Sequence, residues 1–274
     1  MKRKGSTITT VILVLLFVIG LSLLLYPALS DYWNSLHQSK AISDYADNVA
    51  DLSKENYDEL WTAAKSYNAS LVPRFNAFLL TDEQKEQYDS LLNVSGLGIM
   101  GYIEIPEINC SLPIYHGTDE SVLQIAVGHI SWSSLPTGGE STHCVLSGHR
   151  GLPSAKLFTN LDKLTEGSTF MLRVLDEVLT YEVDQILKVL PDEVDALQIV
   201  EGDDLCTLVT CTPYGINSHR LLVRGHRIEN VEAAKTARAT ADAIQIEPLL
   251  VAPAVAIPFL ILLMIPLFTK HRKK

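Results

Sequence analysis

Two long apolar stretches without a single charge lie near the two ends of the chain. The first runs from about Ile8 to Leu25 and the second from Pro248 to Phe268. As helices, each is long enough to cross a hydrocarbon core of roughly 30 Å, at about 1.5 Å per residue. The pattern predicts two transmembrane helices that flank the rest of the chain.

The first stretch has an alternative interpretation as a cleaved signal peptide, because Ala28-Leu29-Ser30 is an acceptable cleavage site. The apolar part of a signal peptide is usually about 7–15 residues long. The stretch here is longer, which favours an uncleaved membrane anchor.

Between the two stretches the periodicity changes from helical to strand-like. Up to residue 93, apolar residues recur at helical spacing in two sets: Ile42, Tyr45, Val49 and Leu52, then Leu60, Ala64, Tyr67 and Leu71. Thr81-Asp-Glu-Gln84 is a capping-box sequence that opens another short helix. From Gly96 onward, segments such as Gly101–Ile105 and Thr169–Val174 alternate in polarity as strands do.

The strand-like part indicates the fold class. Asp176-Glu177 is expected to turn a hairpin, and Thr180–Val183 and Ile186–Leu190 are expected to be separate strands. About six to eight short strands with turn residues between them favour a small closed barrel over a doubly wound sheet. The predicted class is mainly β, with short helices and an N-terminal helical region.

The charges predict the topology and exclude some partners. Lys2, Arg3 and Lys4 precede the first stretch, and Lys270, Arg272, Lys273 and Lys274 follow the second, so both termini are expected in the cytoplasm and the middle outside. Removing those seven from the 22 Lys and Arg leaves 15 against 32 Asp and Glu. This acidic balance argues against nucleic acid and against tight apposition to anionic lipid. It favours basic partners only mildly, since surface solubility explains it equally well.

These patterns divide the chain into five segments. They are a cytoplasmic tail with the first anchor (1–30), an extracellular helical region (31–93), a strand-rich barrel (94–229), a juxtamembrane linker (230–247), and a second transmembrane helix with a basic tail (248–274).

Four cysteines, at positions 110, 144, 206 and 211, lie in the predicted extracellular part. No C-x-x-C pair occurs and the histidines are not at ligand intervals, so no metal or other cofactor is predicted. Cys206 and Cys211 are five apart and would face opposite sides of one strand. A Cys110–Cys144 disulfide is conceivable, although both have the apolar neighbours of core thiols. Cys211 is therefore the thiol expected to be free.

Cys211, His149 and Arg220 together have the chemistry of an acyl-transfer site. A thiol attacks a carbonyl as the thiolate, which a nearby imidazolium or guanidinium stabilises, and the tetrahedral intermediate needs positive donors at its oxyanion. Cys211 is expected to end a strand and Arg220 to begin the next, about 4.8 Å away. His149 follows another strand end, and Arg150 beside it is expected to be exposed. By spacing alone, a cysteine enzyme is only slightly favoured over unrelated structural residues.

Longer motifs resemble those of the sortase family. Thr207-Leu-Val-Thr-Cys211, with Arg220 nine residues on, is similar to the active-site strand pair of sortases, and Leu146-Ser-Gly-His149-Arg-Gly-Leu-Pro153 to their histidine segment. Gly101–Pro106 and Leu112–Gly117 resemble the first strands of that fold. Pro191–Leu197 and the two anchors resemble class C sortases, the pilin polymerases. The likeness covers residues 31 to 227 in order.

The resemblance implies an eight-stranded β-barrel and transpeptidation. Cys211 would be the nucleophile, His149 the general acid and base, and Arg220 the oxyanion or substrate-positioning group. An LPXTG-like sorting signal would pass through a thioacyl-enzyme to a pilin lysine, so the implied partners are pilin subunits and the cell membrane. Three alternatives stay open: attachment of proteins to cell-wall peptidoglycan, hydrolysis, and a non-catalytic surface scaffold.

One segment departs from the class C pattern. These enzymes usually carry an Asp-Pro-aromatic lid before the barrel, whereas Arg74–Asp82 has no Asp-Pro pair. Phe75 or Phe78 could cover the cysteine, but packing between helix and barrel is the favoured interpretation. Asp31-Tyr-Trp33 is expected to lie at the membrane interface.

Overall fold

The computed structural model describes residues 3–71 and 80–230, with side chains from residue 9 onward. Phe75 and Phe78, which were expected to pack between helix and barrel, lie outside the described residues, as do the linker beyond residue 230 and the second apolar stretch.

Three helices precede the barrel: α1 Arg3–Ala50, α2 Lys54–Leu71 and α3 Asp82–Ser90. α1 runs through the first apolar stretch and past Pro27 as one helix. Within residues 3–71 and 80–230, its part from Thr9 onward is the one helix long and apolar enough to cross a membrane. α3 has the predicted capping box, in which Thr81 and Gln84 each accept a backbone hydrogen bond from the other.

The predicted apolar faces of α1 and α2 pack against the barrel. Tyr45 of α1 and Ala64 and Tyr67 of α2 are buried in one cluster with barrel residues. The Tyr45 hydroxyl donates to the Met100 carbonyl at 3.0 Å and accepts from the Leu175 N–H at 2.7 Å. Apolar burial and buried hydrogen bonds therefore both attach the helical region to the barrel.

Eight strands close into a barrel in the order β1-β2-β3-β4-β7-β8-β6-β5. The pairs β2–β3 and β4–β7 are parallel and the other neighbours are antiparallel. The strand bounds are β1 Ile99–Ile105, β2 Cys110–His116, β3 Val127–His129, β4 Thr142–Ser147, β5 Thr169–Val174, β6 Glu177–Val189, β7 Asp204–Thr212 and β8 His219–Ile228. A short helix, α4 Glu120–Leu123, connects β2 to β3.

The mainly β class and the eight-stranded barrel are confirmed, and two details differ from prediction. β6 is one strand where two were predicted, because a bulge between Val183 and Gln185 interrupts its alternation without ending it. β3 was not predicted, since three residues carry no readable period.

Strand alternation gives the barrel wall two apolar faces. Cys206 and Leu208 face the main core, whereas Val209 lies in a smaller cluster with Val145, Leu197 and Leu222. We call that smaller group the outer cluster. Cys211 is two residues beyond Val209 and so shares its face, which confirms that Cys206 and Cys211 point in opposite directions.

Candidate active site

The three predicted site residues lie at the same end of three neighbouring strands. Cys211 on β7 and Arg220 on β8 are direct cross-strand partners. On the other side of β7, the parallel ladder with β4 pairs Ser147 with Val209 and continues one step, because the Gly148 N–H donates to the Val209 carbonyl at 3.0 Å. His149 therefore follows at the level of Cys211.

The two threonines of the T-L-V-T-C segment hold β7 in place through buried hydrogen bonds. The Thr210 hydroxyl donates to the Gly148 carbonyl at 2.7 Å, which fixes the residue just before His149. The Thr207 hydroxyl lies 2.7 Å from His143 Nε2, and His143 Nδ1 lies 2.8 Å from the Gln198 carbonyl. A carbonyl only accepts, so Nδ1 carries the proton and Nε2 accepts from Thr207. Burial lowers the pKa of His143 to about 4, which keeps this ring neutral.

A carboxylate that the sequence analysis missed lies beside His149. Glu120 Oε2 of α4 is 3.8 Å from His149 Nε2, and the Glu120 side chain is 74% exposed. The Gln124 amide, one turn later, donates to the other Glu120 oxygen. No local pattern marks this residue, because only the fold brings α4 next to the end of β4.

Arg150 is not exposed, and that prediction is wrong. Its side chain is 9% exposed and pairs with the Asp162 carboxylate. Its Nη1 donates to Thr212 Oγ1 at 3.4 Å, and the guanidinium carbon lies 5.8 Å from the centre of the Tyr214 ring. Arg150 therefore connects the histidine segment to the residues that follow Cys211.

Gly151 completes this connection. It has φ +78°, and a Cβ there would lie 2.9 Å from the Tyr214 ring. A side chain would both strain the backbone and push Tyr214 away. In three consecutive residues the chain thus places a candidate catalytic imidazole (His149), a guanidinium against the Tyr214 ring (Arg150) and a glycine that leaves room for that ring (Gly151).

Arg220 lies along the loop between β7 and β8. Its Nη1 donates to the Asn217 carbonyl at 3.3 Å and to the His219 carbonyl at 3.2 Å. Alternation along β8 puts Arg220 on the face of Cys211 and Leu222 and turns the neighbouring His219 away. The strand alternation thus distinguishes two adjacent basic residues, which the sequence alone does not.

The packing beneath the thiol is apolar and mostly buried. Val209 and Leu222 of the outer cluster lie one alternation step from Cys211 and Arg220, and partly buried Val189, the β6 partner of Arg220, packs against this cluster. This buried packing supports the ends of β7 and β8 from below, and Val189 is its partly exposed member next to Arg220.

The other cysteines take no part in this site. Within the described residues all four cysteines are free, and Cys144 lies opposite Cys206 in the β4–β7 ladder rather than bridged to Cys110. In the same part of the chain, no three His, Cys, Asp or Glu side chains are arranged to hold a metal ion.

Comparison with known proteins agrees with this geometry. A family model described as "Sortase domain" matches residues 103–228. The chain is 51% identical to sortase C1 of Streptococcus agalactiae, covering 70% of this chain and 100% of that one, with a TM-score of 0.69. It is 43% identical to sortase C of Streptococcus pneumoniae (70% and 97% covered, TM-score 0.63). It is 44% identical to Clostridium perfringens sortase C solved with the C-terminal cell wall sorting motif (70% and 99% covered, TM-score 0.62).

The fold and these matches define a β-barrel cysteine transpeptidase: the chain belongs to the sortase family. Its identity to sortase C structures places it in class C, the class that the sequence motifs indicate.

Proposed function

We propose that this chain is a membrane-anchored class C sortase that cleaves an LPXTG-like sorting signal and joins it to a lysine of a pilin subunit. The observation that carries the proposal is the placement of Cys211, His149 and Arg220 at one level of three adjacent strands. The related sortase C of Streptococcus pneumoniae has pilin substrate specificity, and that of Clostridium perfringens was solved with a sorting motif.

In the first half of the reaction, the Cys211 thiolate attacks the carbonyl carbon of the signal's threonine. The tetrahedral oxyanion forms on the side of Arg220, whose guanidinium stabilises it. The Thr–Gly bond then breaks, His149 gives its proton to the departing glycine amine, and the threonyl group remains on Cys211 as a thioester.

In the second half, the lysine Nε attacks the thioester carbonyl. His149 accepts the proton that the amine loses, and the thiolate leaves as the isopeptide bond forms. A thioester suits this exchange because amines attack it readily, provided that the site shelters it from water.

Two side chains beside the site support this choice of substrates. Val189, which is partly exposed next to Arg220, offers an aliphatic contact to the Leu-Pro part of the signal. The exposed Glu120 carboxylate, 3.8 Å from His149 Nε2, would attract a lysine ammonium to the group that must take its proton.

The anchoring proposal rests on α1 and on the charges. From Thr9 onward α1 is apolar and long enough to span a bilayer, and basic residues precede it. With the second apolar stretch at Pro248–Phe268, the positive-inside rule puts both termini in the cytoplasm and the barrel at the cell surface.

Intact-mass measurement of the full chain in detergent, incubated with an LPXTG-type peptide, tests the chemistry. We expect a threonyl thioacyl adduct on the chain and none on Cys211→Ala. The peptide left uncleaved by the unaltered chain would contradict the proposal.

Product analysis then identifies the acceptor. With a lysine-bearing pilin present, we expect an isopeptide-linked product whose yield depends on that lysine. Hydrolysed peptide alone, or transfer only to a peptidoglycan-type amine, would instead support one of the alternative functions.

A further inference from the structure

The first charged residue after the apolar stretch of α1 contacts the barrel. No charge occurs from Gly5 to Ser30, and Asp31 follows in the same uninterrupted helix. At about 1.5 Å per residue this uncharged part extends roughly 39 Å, close to the ~40–45 Å of a bilayer with its headgroups. If α1 spans the membrane, Asp31 leaves it at the level of the outer headgroups.

At that level α1 binds the loop that follows His149. Asp31 Oδ1 accepts a hydrogen bond from the Lys156 N–H at 2.8 Å, and Asp31 Oδ2 lies 3.2 Å from Lys156 Nζ. One turn later, Asn34 Nδ2 donates to the Ser154 carbonyl at 2.8 Å. Two of these three contacts use backbone atoms, so they fix the position of the loop itself.

This loop is directly connected to the active site. The Phe158 N–H donates to the His149 carbonyl at 3.1 Å. Phe158 is two positions after Lys156, so the Asp31 carboxylate is at most about 13 Å from the His149 carbonyl. The reacting groups are therefore held near the membrane end of the barrel.

Further contacts along α1 prevent the barrel from swinging about this point. Gln38 Nε2 donates to the Ile125 carbonyl at 2.7 Å, and the buried Tyr45 hydroxyl bonds Met100 and Leu175. Tyr32 and Trp33, 41% and 64% exposed, lie at the level of Asp31 and suit a membrane interface. The barrel is thus attached to α1 at successive heights.

We propose that α1 is a strut of fixed length, which holds Cys211 and His149 at one height just above the outer headgroups. An acyl donor anchored in the same membrane is then cleaved efficiently only when its scissile bond lies at that height. The inference rests on the membrane anchoring and the transpeptidation proposed above.

Lengthening the strut tests this inference. Seven helix-forming residues inserted between Ser30 and Asp31 keep the contact face of α1 and raise the barrel by about 10 Å. The full chain is reconstituted in phosphatidylglycerol vesicles with a donor that carries an LPXTG-type motif before its own transmembrane helix. We expect cleavage of this donor to fall at least tenfold, while cleavage of a water-soluble LPXTG-type peptide stays within twofold. The same insertion between Lys4 and Gly5, on the other side of the membrane, is the matched control.

A compensating change makes the test specific. Adding seven residues between the motif and the transmembrane helix of the donor should restore cleavage by the lengthened chain. The strut proposal would be overturned if the lengthened chain cleaved the original donor at an unchanged rate, or if the lengthened donor did not restore cleavage.

A second measurement needs no altered enzyme. With the unaltered chain, donors of increasing distance between motif and membrane should give a cleavage rate that peaks at one distance. A flat profile would contradict the inference but leave the chemistry intact. Failure of the unaltered chain to cleave even the soluble peptide would instead contradict the proposed function, and the strut with it.

Discussion

At the scale of single residues, the candidate catalytic groups are positioned mainly by the backbone that carries them. Cys211 and Arg220 face each other because they are cross-strand partners, and the Thr210 hydroxyl fixes Gly148 just before His149. Groups placed this way need little rearrangement when substrate binds, which lowers the entropic cost of reaching the reactive geometry.

Replacing the proposed catalytic residues should abolish transfer without unfolding the barrel. We expect Cys211→Ala and His149→Ala to remove all detectable ligation of an LPXTG-type peptide. Arg220→Lys should lower kcat/KM at least tenfold, because a point charge does not replace a planar fork at the oxyanion. Circular dichroism would check the fold, and ligation retained by either alanine variant would refute the assigned role.

Glu120 should affect the acceptor step more than the acylation step. Glu120→Gln keeps the shape of the side chain but removes the charge that would attract an ammonium. We expect the ratio of amine transfer to hydrolysis to fall about three- to tenfold, with the rate of thioacyl formation nearly unchanged. Glu107→Gln, a change to an exposed carboxylate on the connection between β1 and β2, is the control. An unchanged ratio would rule out this function of Glu120.

At the scale of elements, two segments far apart in sequence build the site jointly. Arg150, the residue after His149, contacts Thr212 and Tyr214. Gly151 has no side chain, so the Tyr214 ring can lie close to its backbone. The loop after Cys211 is thus held by the residues after His149, and a change in one should displace the other.

Arg150→Ala should reduce turnover although Arg150 is not expected to touch substrate. The change leaves Asp162 without its partner and frees Tyr214, so we expect a loss of about 1–3 kcal/mol in unfolding free energy and roughly tenfold in kcat. Arg227→Ala is the matched control, since Arg227 lies at the opposite end of β8 and stacks on Tyr181 in a similar way. Comparable loss of stability in both variants, with loss of kcat only in Arg150→Ala, would establish that Arg150 positions the loop after Cys211. Equal kcat values would contradict it.

The sequence could predict features that depend on neighbouring residues, and could not predict those that depend on contacts between distant segments. Period-two alternation and turn residues are local, so the bounds of β5 and the opposite faces of Cys206 and Cys211 were predictable. Cys211, His149 and Arg220 could be proposed as a site because they lie in recognisable motifs, and the strand register brings them to one level. Glu120 and Arg150 were missed because their surroundings are created by segments that meet only in the folded barrel. No local pattern distinguishes them from ordinary surface residues.

At the scale of the whole molecule, stability depends on a buried neutral histidine. His143 has a pKa of about 4 in the fold, against 6.5 ordinarily, because burial penalises its charged form. Burial also lowers the pKa of His116, in the same direction. Below pH 6.5 the unfolded chain therefore binds protons that the folded chain does not.

The sign of the pH dependence follows from this difference. The contribution of His143 is complete above pH 6.5 and is lost progressively as the pH falls from 6.5 to about 4, by up to about 3 kcal/mol. Urea unfolding of the full chain in detergent across pH 4–8 should show this decline. His143→Gln should flatten it, whereas His219→Gln, at the exposed end of β8, should not. Parallel profiles for the chain and for His143→Gln would exclude His143 as the cause.

Closure of the barrel also determines when the candidate catalytic groups come together. The hydrogen bond from Thr210 to Gly148 joins residues 62 apart in the chain, within a parallel ladder that forms only after a long loop has closed. Before the barrel closes, His149 and Cys211 are therefore separate side chains on an open chain. The thiol and the imidazole come together only late in folding, so the proposed acyl transfer requires a folded chain and the topology itself protects other proteins from a half-folded one.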